Sequence, residues 1–345
     1  MAEVVTIATP SLGDRSYLVT DGATAFVVDP QRDIDRVLAL AANRGISVTH
    51  VFETHIHNDY VTGGLALARA TGASYHVNAA DTLTIGRERR VNPALALDED
   101  SYVRGLLAGL DDYPAYYANM GPANAAGPTA AVLVPPAVSD VAQIRRRIAA
   151  GEWVVDLRGR RAFAAGHLPG SLSFEYGDNL VANLGWLLPA GTPVTLIGDS
   201  PGQVADAQRD LTRIGIDRIA SMAGPPHEWR GEVPRLASYP VADFEALAAV
   251  FRAQPIAVLD VRRRLEWSGG HIEGALHVPL HQLPGRLPDL PPGPLWVHCQ
   301  AGYRASVAAS ILHAAGRAVT AVDDDFSRAA LAGLPLSSAS AVAPV

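Results

Sequence analysis

One block of this chain is written twice, and that repetition restricts the fold more than any other feature. Val155-Asp-Leu-Arg158 and Gly166-His-Leu-Pro-Gly170 return as Val258-Leu-Asp-Val-Arg262 and Gly270-His-Ile-Glu-Gly-Ala-Leu276. Asp156 and Asp260, His167 and His271, and Gly170 and Gly274 are each 104 positions apart (260−156, 271−167, 274−170). The repeat predicts two like units in tandem, one over 135–232 and one over 236–335.

The second copy holds the only cysteine, in Leu295-Trp-Val-His-Cys-Gln-Ala-Gly-Tyr-Arg-Ala-Ser306. A strand ends at His298, a compact loop turns at Gly302, and a helix follows with Val307, Ala308, Ile311 and Leu312 at helical spacing. A thiol at the mouth of such a turn faces converging backbone N–H groups and the positive end of a helix, which favours thiolate over thiol. Arg304 adds a fixed positive charge.

The pattern Cys-x-x-Gly-x-Arg, matched by Cys299, Gly302 and Arg304 and preceded by Asp-x-Arg and Gly-His-Ile-x-Gly-Ala, resembles the active loop of the rhodanese family of sulfurtransferases. Related phosphatases use Cys-x5-Arg, a larger loop that admits a tetrahedral phosphate. The Cys-x4-Arg of this chain suits a persulfide sulfur. The resemblance implies a sulfur-carrying Cys299, an Arg304 that steers an anionic donor, and an entrance lined by Gln300, Ala301 and Tyr303. Asp260, Arg262 and His271 are expected to support the turns beneath the loop. In the first copy, aligning Gly202 with Gly302 places Asp199 at the cysteine position and Val204 at the arginine position. A carboxylate carries no sulfane sulfur and repels anionic donors. Pro201 also removes one N–H from that loop. The first copy is expected to be silent, serving in packing or docking.

The first third reads differently. Val4–Ile7, Ser16–Thr20, Thr24–Val28 and Val48–Phe52 have strand character, with turns at Gly13-Asp14 and Asp21-Gly22 and an amphipathic helix over Ile34–Ala42 between the last two. Glu53-Thr-His-Ile-His-Asn-Asp-Tyr-Val-Thr-Gly-Gly64 follows, and it resembles the Thr-His-x-His-x-Asp signature of the metallo-β-lactamase fold. His55, His57 and Asp59 match that signature, with Tyr60 at a position often occupied by histidine. Such segments fused to rhodaneses are typically persulfide dioxygenases, which use iron to oxidise glutathione persulfide. The further metal-ligand motifs of that family do not recur between Tyr60 and Pro135, where His76 is the only histidine, placed in a strand and expected to be buried. Residues from about Thr84 onward, including Asn92-Pro-Ala-Leu95 and Pro114-Ala-Tyr-Tyr117, resemble the closing region of such a domain. A helix over Asp100–Met120 is expected, with Tyr102, Leu106, Leu107, Leu110 and Tyr113 as its apolar face.

These readings give a fold of α/β class: a partial metallo-β-lactamase (αββα) segment over 1–130, then two rhodanese-like domains with central parallel sheets, then a disordered tail over 336–345. Linkers are expected at 121–136 and 225–240. His55, His57 and Asp59 are a remnant motif expected to bind iron or zinc weakly or not at all, because one loop supplies only one side of a coordination sphere. A partial sandwich leaves an apolar sheet face that helices, the other units or a second chain must cover, so a homo-oligomer is a possible outcome.

Composition excludes several classes. At 345 residues the chain has room for two or three domains. The net charge of −7 and the scattered arginine runs form no basic stripe for nucleic acid. No apolar run reaches membrane-spanning length and no signal peptide opens the chain, so a cytoplasmic enzyme is expected. The single cysteine rules out an intramolecular disulfide and requires an external sulfur acceptor. The expected activity is sulfur transfer from thiosulfate or a persulfide to a thiol, such as glutathione, or to cyanide, with no cofactor required. A persulfide dioxygenase and a non-catalytic sulfur carrier or docking protein are the alternatives.

Overall fold

The computed structural model describes residues 2–77, 98–101, 103–104, 112–131, 133–225, 229 and 235–338. The first sheet contains β1 (Glu3–Thr9), β2 (Asp14–Thr20), β3 (Thr24–Val28), β4 (Ser47–Glu53) and β5 (Ser74–Val77), in that spatial order. β1 to β3 form an antiparallel meander, and β3, β4 and β5 run parallel. The β2–β3 turn is held by the Asp21 carboxylate, which accepts from the backbone N–H groups of Ala23 and Thr24. Helices Asp35–Arg44 and Gly64–Thr71 contribute Val37, Ala41 and Leu67 to a core closed by Leu18, Val27 and Val51 from the sheet. The other side of β3, β4 and β5 carries an aromatic ladder, with Phe52 stacked on His76 at 4.5 Å and edge-on to Phe26 at 5.5 Å. His76 lies in β5 as expected, but it is exposed rather than buried. The two-residue period of a strand sends it to the face opposite the helices.

The single helix expected over Asp100–Met120 is not formed as such. Residues 112–114 are non-helical, and a separate helix spans Tyr117–Ala125. Pro114 lacks an N–H and disfavours helical backbone at the residue before it, so the break falls there. Tyr113 is exposed rather than on an apolar face. Tyr102, Leu106, Leu107, Leu110 and the Asn92–Leu95 stretch lie outside the described residues. The linker expected over 121–136 begins later, because 121–125 are helical.

The second sheet contains β6 (Trp153–Asp156), β7 (Leu172–Ser173), β8 (Val194–Ile197) and β9 (Ile219–Ala223), all parallel in the order β7-β6-β8-β9, with Val138 bridged to Met222 at its edge. The third unit contains β10 (Val241–Ala242), β11 (Ala257–Asp260), β12 (His271–Ile272), β13 (Leu276–His277), β14 (Leu295–His298), β15 (Val319–Val322) and β16 (Leu336–Ser337). Its main sheet runs β10-β15-β14-β11-β13. Replacing β13, β11, β14 and β15 by β7, β6, β8 and β9 gives the same order, so the sequence repeat is a repeat of topology. The Asp-x-Arg turns also match. Arg158 binds Asp156 and the carbonyl of Gly166, and Arg262 binds Asp260 and the carbonyl of Gly270. β12 and β16 form a separate antiparallel pair, Ile272 opposite Leu336. The tail expected to be disordered from 336 is therefore ordered through Ser337, tied down by backbone pairing.

The two α/β units share one apolar core. Helix Tyr303–Ala314 lies between them, and its Ala305, Val307, Ala308, Ala309 and Leu312 are fully buried. A helix apolar on all sides is a buried helix. Its Ser310 hydroxyl accepts from Ser173 N–H at 3.0 Å, and His313 Nδ1 lies 3.2 Å from His167 Nε2. The first segment docks on the second through ion pairs: Arg213 to Asp33 at 2.8 Å, Arg209 to Asp35 at 2.5 Å and Arg32 to Asp217 at 2.5 Å. An apolar cluster of Val61, Tyr116, Met120, Val181 and Ile214 lies beneath them. No helix among the described residues is long and apolar enough to cross a membrane.

Candidate active site

β14 ends at His298, and the next residue, Cys299, is 2% exposed. The chain turns at Gly302, where φ is +87°. A Cβ there would lie 2.1 Å from Asp323 Oδ1 and 3.0 Å from Asp323 Cα, so close approach and backbone conformation both require glycine. Among the described residues, no acceptor meets the backbone N–H groups of Gln300 to Ala305. They lie between Cys299 and the first turn of helix Tyr303–Ala314, where unpaired N–H groups can receive an anion. The Gln300 carbonyl accepts from Phe326 N–H at 2.8 Å, Ala301 is exposed, and the Tyr303 hydroxyl donates to the Glu175 carbonyl at 3.1 Å.

The equivalent loop of the second sheet is plugged. Asp199 N–H donates to Gln203 Oε1 at 2.8 Å, and Gln203 Nε2 reaches the Leu157 carbonyl. Asp199 itself is exposed, and Val204 is buried.

The Arg304 guanidinium makes two hydrogen bonds, at 2.6 and 2.7 Å, to the carboxylate of Glu266. Burial works against the charge, but the Glu266 hydrogen bonds outweigh it and hold the arginine above its ordinary range. Burial also pushes the Glu266 carboxyl up, and Arg304 more than compensates, leaving it below its ordinary value. Arg304 lines the Cys299 cavity while Glu266 ties it to helix Arg264–Gly269. Glu266 escaped the sequence reading, although its place three residues after Arg263, whose N–H it accepts at 3.0 Å, is a capping signal.

Asp260 and Arg262 are buried in the Asp-x-Arg turn, and Arg262 also stacks 3.6 Å over the Phe326 ring. His271 stacks on Trp267 at 3.7 Å and bonds the Trp267 carbonyl and the Ser337 hydroxyl.

The thiol opens on a cavity of about 460 Å³ between the two α/β units. Arg263 and His281 line one side, and Arg160, Asn179, Asn183 and Trp186 line the other. Nothing in the sequence marked this far wall, because packing across the shared helix brings it there.

The first segment assembles a different set from the one expected. His57 is buried, with Nε2 2.9 Å from the Tyr60 hydroxyl, 3.2 Å from Asp29 and 3.4 Å from Glu53, and Nδ1 3.6 Å from Asp59. Burial disfavours its charge, but Asp29, Asp59 and Glu53 push the imidazole up to about 11. Among the described residues, the side chains that converge on one point are Asp29, Glu53 and His57. His55 is exposed, with its ring 4.3 Å from that of His57 and its Nδ1 paired with the Thr54 hydroxyl.

Sequence comparisons match two families, one over the third unit and one over the first segment and on into the second sheet. A model of the rhodanese-like domain matches residues 243–330, and a model of the metallo-beta-lactamase superfamily matches residues 14–182. The chain joins a metallo-beta-lactamase segment to a rhodanese-like domain. A metallo-beta-lactamase from Staphylococcus aureus subsp. aureus COL superposes with a TM-score of 0.54 at 18% identity, over 65% of this chain and 99% of that one, a likeness of fold alone. A hydroxyacylglutathione hydrolase from Anaeromyxobacter dehalogenans is 45% identical over 58 residues, which is 17% of this chain and 22% of the relative. The HTH-type transcriptional regulator Rv0324 of Mycobacterium tuberculosis is 36% identical over 87 residues, 24% of this chain and 38% of the relative. The fusion thus spans well under half the length of either curated relative.

Proposed function

We propose that this fusion protein is a sulfurtransferase that moves sulfane sulfur through a persulfide on Cys299. The observation that carries the reading is the thiol set among unengaged backbone N–H groups at a helix start, opening on a cavity large enough for a small molecule. The Cys299 thiolate attacks the outer sulfur of thiosulfate or of an organic persulfide. The donor S–S bond breaks, sulfite or a thiolate leaves, and the loop N–H groups hold the Cys299 persulfide. An external thiolate or cyanide then attacks the terminal sulfur, takes it away and regenerates the Cys299 thiolate, a ping-pong sequence. The shared strand order and matched Asp-x-Arg turns support a second, silent rhodanese-like unit over 135–232 beside the active unit over 236–335. Its loop holds Asp199 and is filled by Gln203.

The metallo-beta-lactamase segment implies a metal, and the described residues do not fit one of the family kind. Among them two carboxylates and one imidazole converge, the Nε2 facing them already bonds Tyr60, and His55, its ring 4.3 Å from that of His57, pairs its Nδ1 with the Thr54 hydroxyl and adds no ligand to that group. No step is derived through a metal. In this reading the segment is a shortened unit that buttresses the others.

Cys299→Ser tests the reading. The wild type is expected to gain the mass of one sulfur after incubation with thiosulfate or a persulfide and to turn over with a thiol acceptor, and the variant to do neither. Unchanged turnover in the variant overturns the assignment. Stoichiometric iron together with oxygen uptake on glutathione persulfide would restore the dioxygenase alternative.

A further inference from the structure

We infer that Arg263 is the anion-recognition residue of the Cys299 cavity and that Trp186 and Asn183 hold the organic body of the substrate, so that the site selects a carboxylate-bearing organic persulfide or thiol over a compact inorganic donor. The inference rests on the sulfur-transfer reading and deepens it.

Arg304 is clamped by Glu266, and Arg160 is bound at 2.5 Å to Glu175 and at 2.7 Å to Asp323. His281 lies 3.0 Å from Asp112. Arg263 is exposed, and among the described residues no carboxylate lies within ion-pair distance of its side chain. The neighbouring Arg262 is turned inward to Asp260, so Arg263 is the cation of the cavity wall still able to take a substrate carboxylate in a forked hydrogen bond.

Clefts that take organic ligands run from about 300 to 1,000 Å³, and this one, at about 460 Å³, falls in that range. Thiosulfate leaves most of that space to water, whereas a tripeptide-sized thiol displaces it. The opposite wall has the chemistry for such a body. Trp186 offers an aromatic face beside His281, 4.6 Å between ring centroids. Asn183 uses its amide N–H on the Asn179 carbonyl at 2.8 Å, and its Oδ1 meets no donor among the described residues. An apolar platform with one carbonyl acceptor and one forked cation suits a peptide-like anion. The silent unit thereby becomes half of the binding site.

The test uses the full-length chain. Glutathione is titrated calorimetrically into the Cys299→Ser protein, with and without Arg263→Gln or Arg263→Lys. Loss of a charge-assisted hydrogen bond predicts a roughly tenfold to hundredfold weaker affinity in Arg263→Gln, largely recovered in Arg263→Lys. Glutathione diethyl ester is expected to bind with little sensitivity to Arg263→Gln. In a wild-type Cys299 background, Trp186→Ala is expected to lower the ratio of kcat/KM for glutathione persulfide to that for thiosulfate by about tenfold. The proposal is overturned if Cys299→Ser fails to bind glutathione at millimolar concentration, if Arg263→Gln binds it as tightly as the parent, or if the ester is equally affected. Sulfur transfer is read separately by the mass gain at Cys299. Its absence overturns the catalytic reading, while the titration still decides the recognition proposal.

Discussion

The Arg304–Glu266 clamp gives the sharpest test of how the loop is held. The pair is bidentate at 2.6 and 2.7 Å, with side chains 18% and 29% exposed. A fully exposed pair contributes under about 1 kcal/mol, and removing one partner of a fully buried pair costs about 3–5 kcal/mol. Partial exposure and ideal fork geometry place the coupling between these, at about 1.5–3 kcal/mol. A double-mutant cycle of Arg304→Ala, Glu266→Ala and the double variant, read from urea midpoints, is expected to return that coupling energy. The kinetic arm separates a clamp from a donor-binding role. If Glu266 occupies Arg304, Glu266→Ala releases a cation toward the cavity and removes a like charge from the donor's path. KM for thiosulfate should then fall severalfold while the urea midpoint drops. A coupling within about 0.5 kcal/mol of zero, or a thiosulfate KM that rises tenfold or more in Arg304→Ala and does not move in Glu266→Ala, refutes the clamp and returns Arg304 to the donor-steering role expected from the sequence.

Gly302→Ala places a side chain at φ +87° and drives its Cβ into Asp323. The left-handed backbone alone costs about 1–2 kcal/mol, so a lower melting temperature and at least a tenfold loss of sulfur transfer are expected. His167 is buried between the α/β units, and desolvation pushes its imidazole down to about 4, the hydrogen bond to the Phe163 carbonyl opposing only in part. Between pH 4 and 6.5 the unfolded chain binds a proton that the native state refuses. This stability is complete above about pH 6.5 and is lost as pH falls toward 4. Urea midpoints should fall across that window, and His167→Gln should flatten the slope. Dialysis against a chelator is expected to leave melting temperature and sulfur transfer unchanged. A fall in either would mean that Asp29, Glu53 and His57 hold a resident metal.

What the sequence made legible follows from how local each feature is. The strands of the first sheet, the Asp-x-Arg turns and the Cys299 loop depend on residues a few positions apart, so alternation, glycine placement and spacing expose them. That Asp199 stands at the cysteine position of the first copy was readable too, from the alignment of Gly202 with Gly302. Glutamine at 203 gave no signal, since its meaning depends on a loop that only folding brings to its amide. Glu266 lay near the loop in space but 38 residues before Arg304. The far wall of the cavity, Asn183 and Trp186, was invisible for the same reason on a larger scale. It belongs to a helix whose partners are chosen by the packing of one unit against another. His76 and Pro114 show the opposite limit: simple period and backbone rules were available there and pointed to the exposed face and to the helix break.

Helix Tyr303–Ala314 explains why a unit with a plugged loop remains part of the molecule. Its N-terminus supports the Cys299 loop, and its body is buried on every side. An isolated unit would expose one of those sides to water, at about 25 cal/mol for each Å² uncovered. The second sheet covers it, and Asp323 completes the junction. Asp323 touches Gly302 from its own unit and takes Arg160 at 2.7 Å and Arg161 at 2.6 Å from the other. Asp323 thus ties the second sheet's unit to the turn that shapes the loop around the thiol. The ion pairs from Asp33, Asp35 and Arg32 extend the same chain of contacts to the first segment. The proposed sulfur transfer is chemistry of one loop, but the position of that loop is a property of all three pieces.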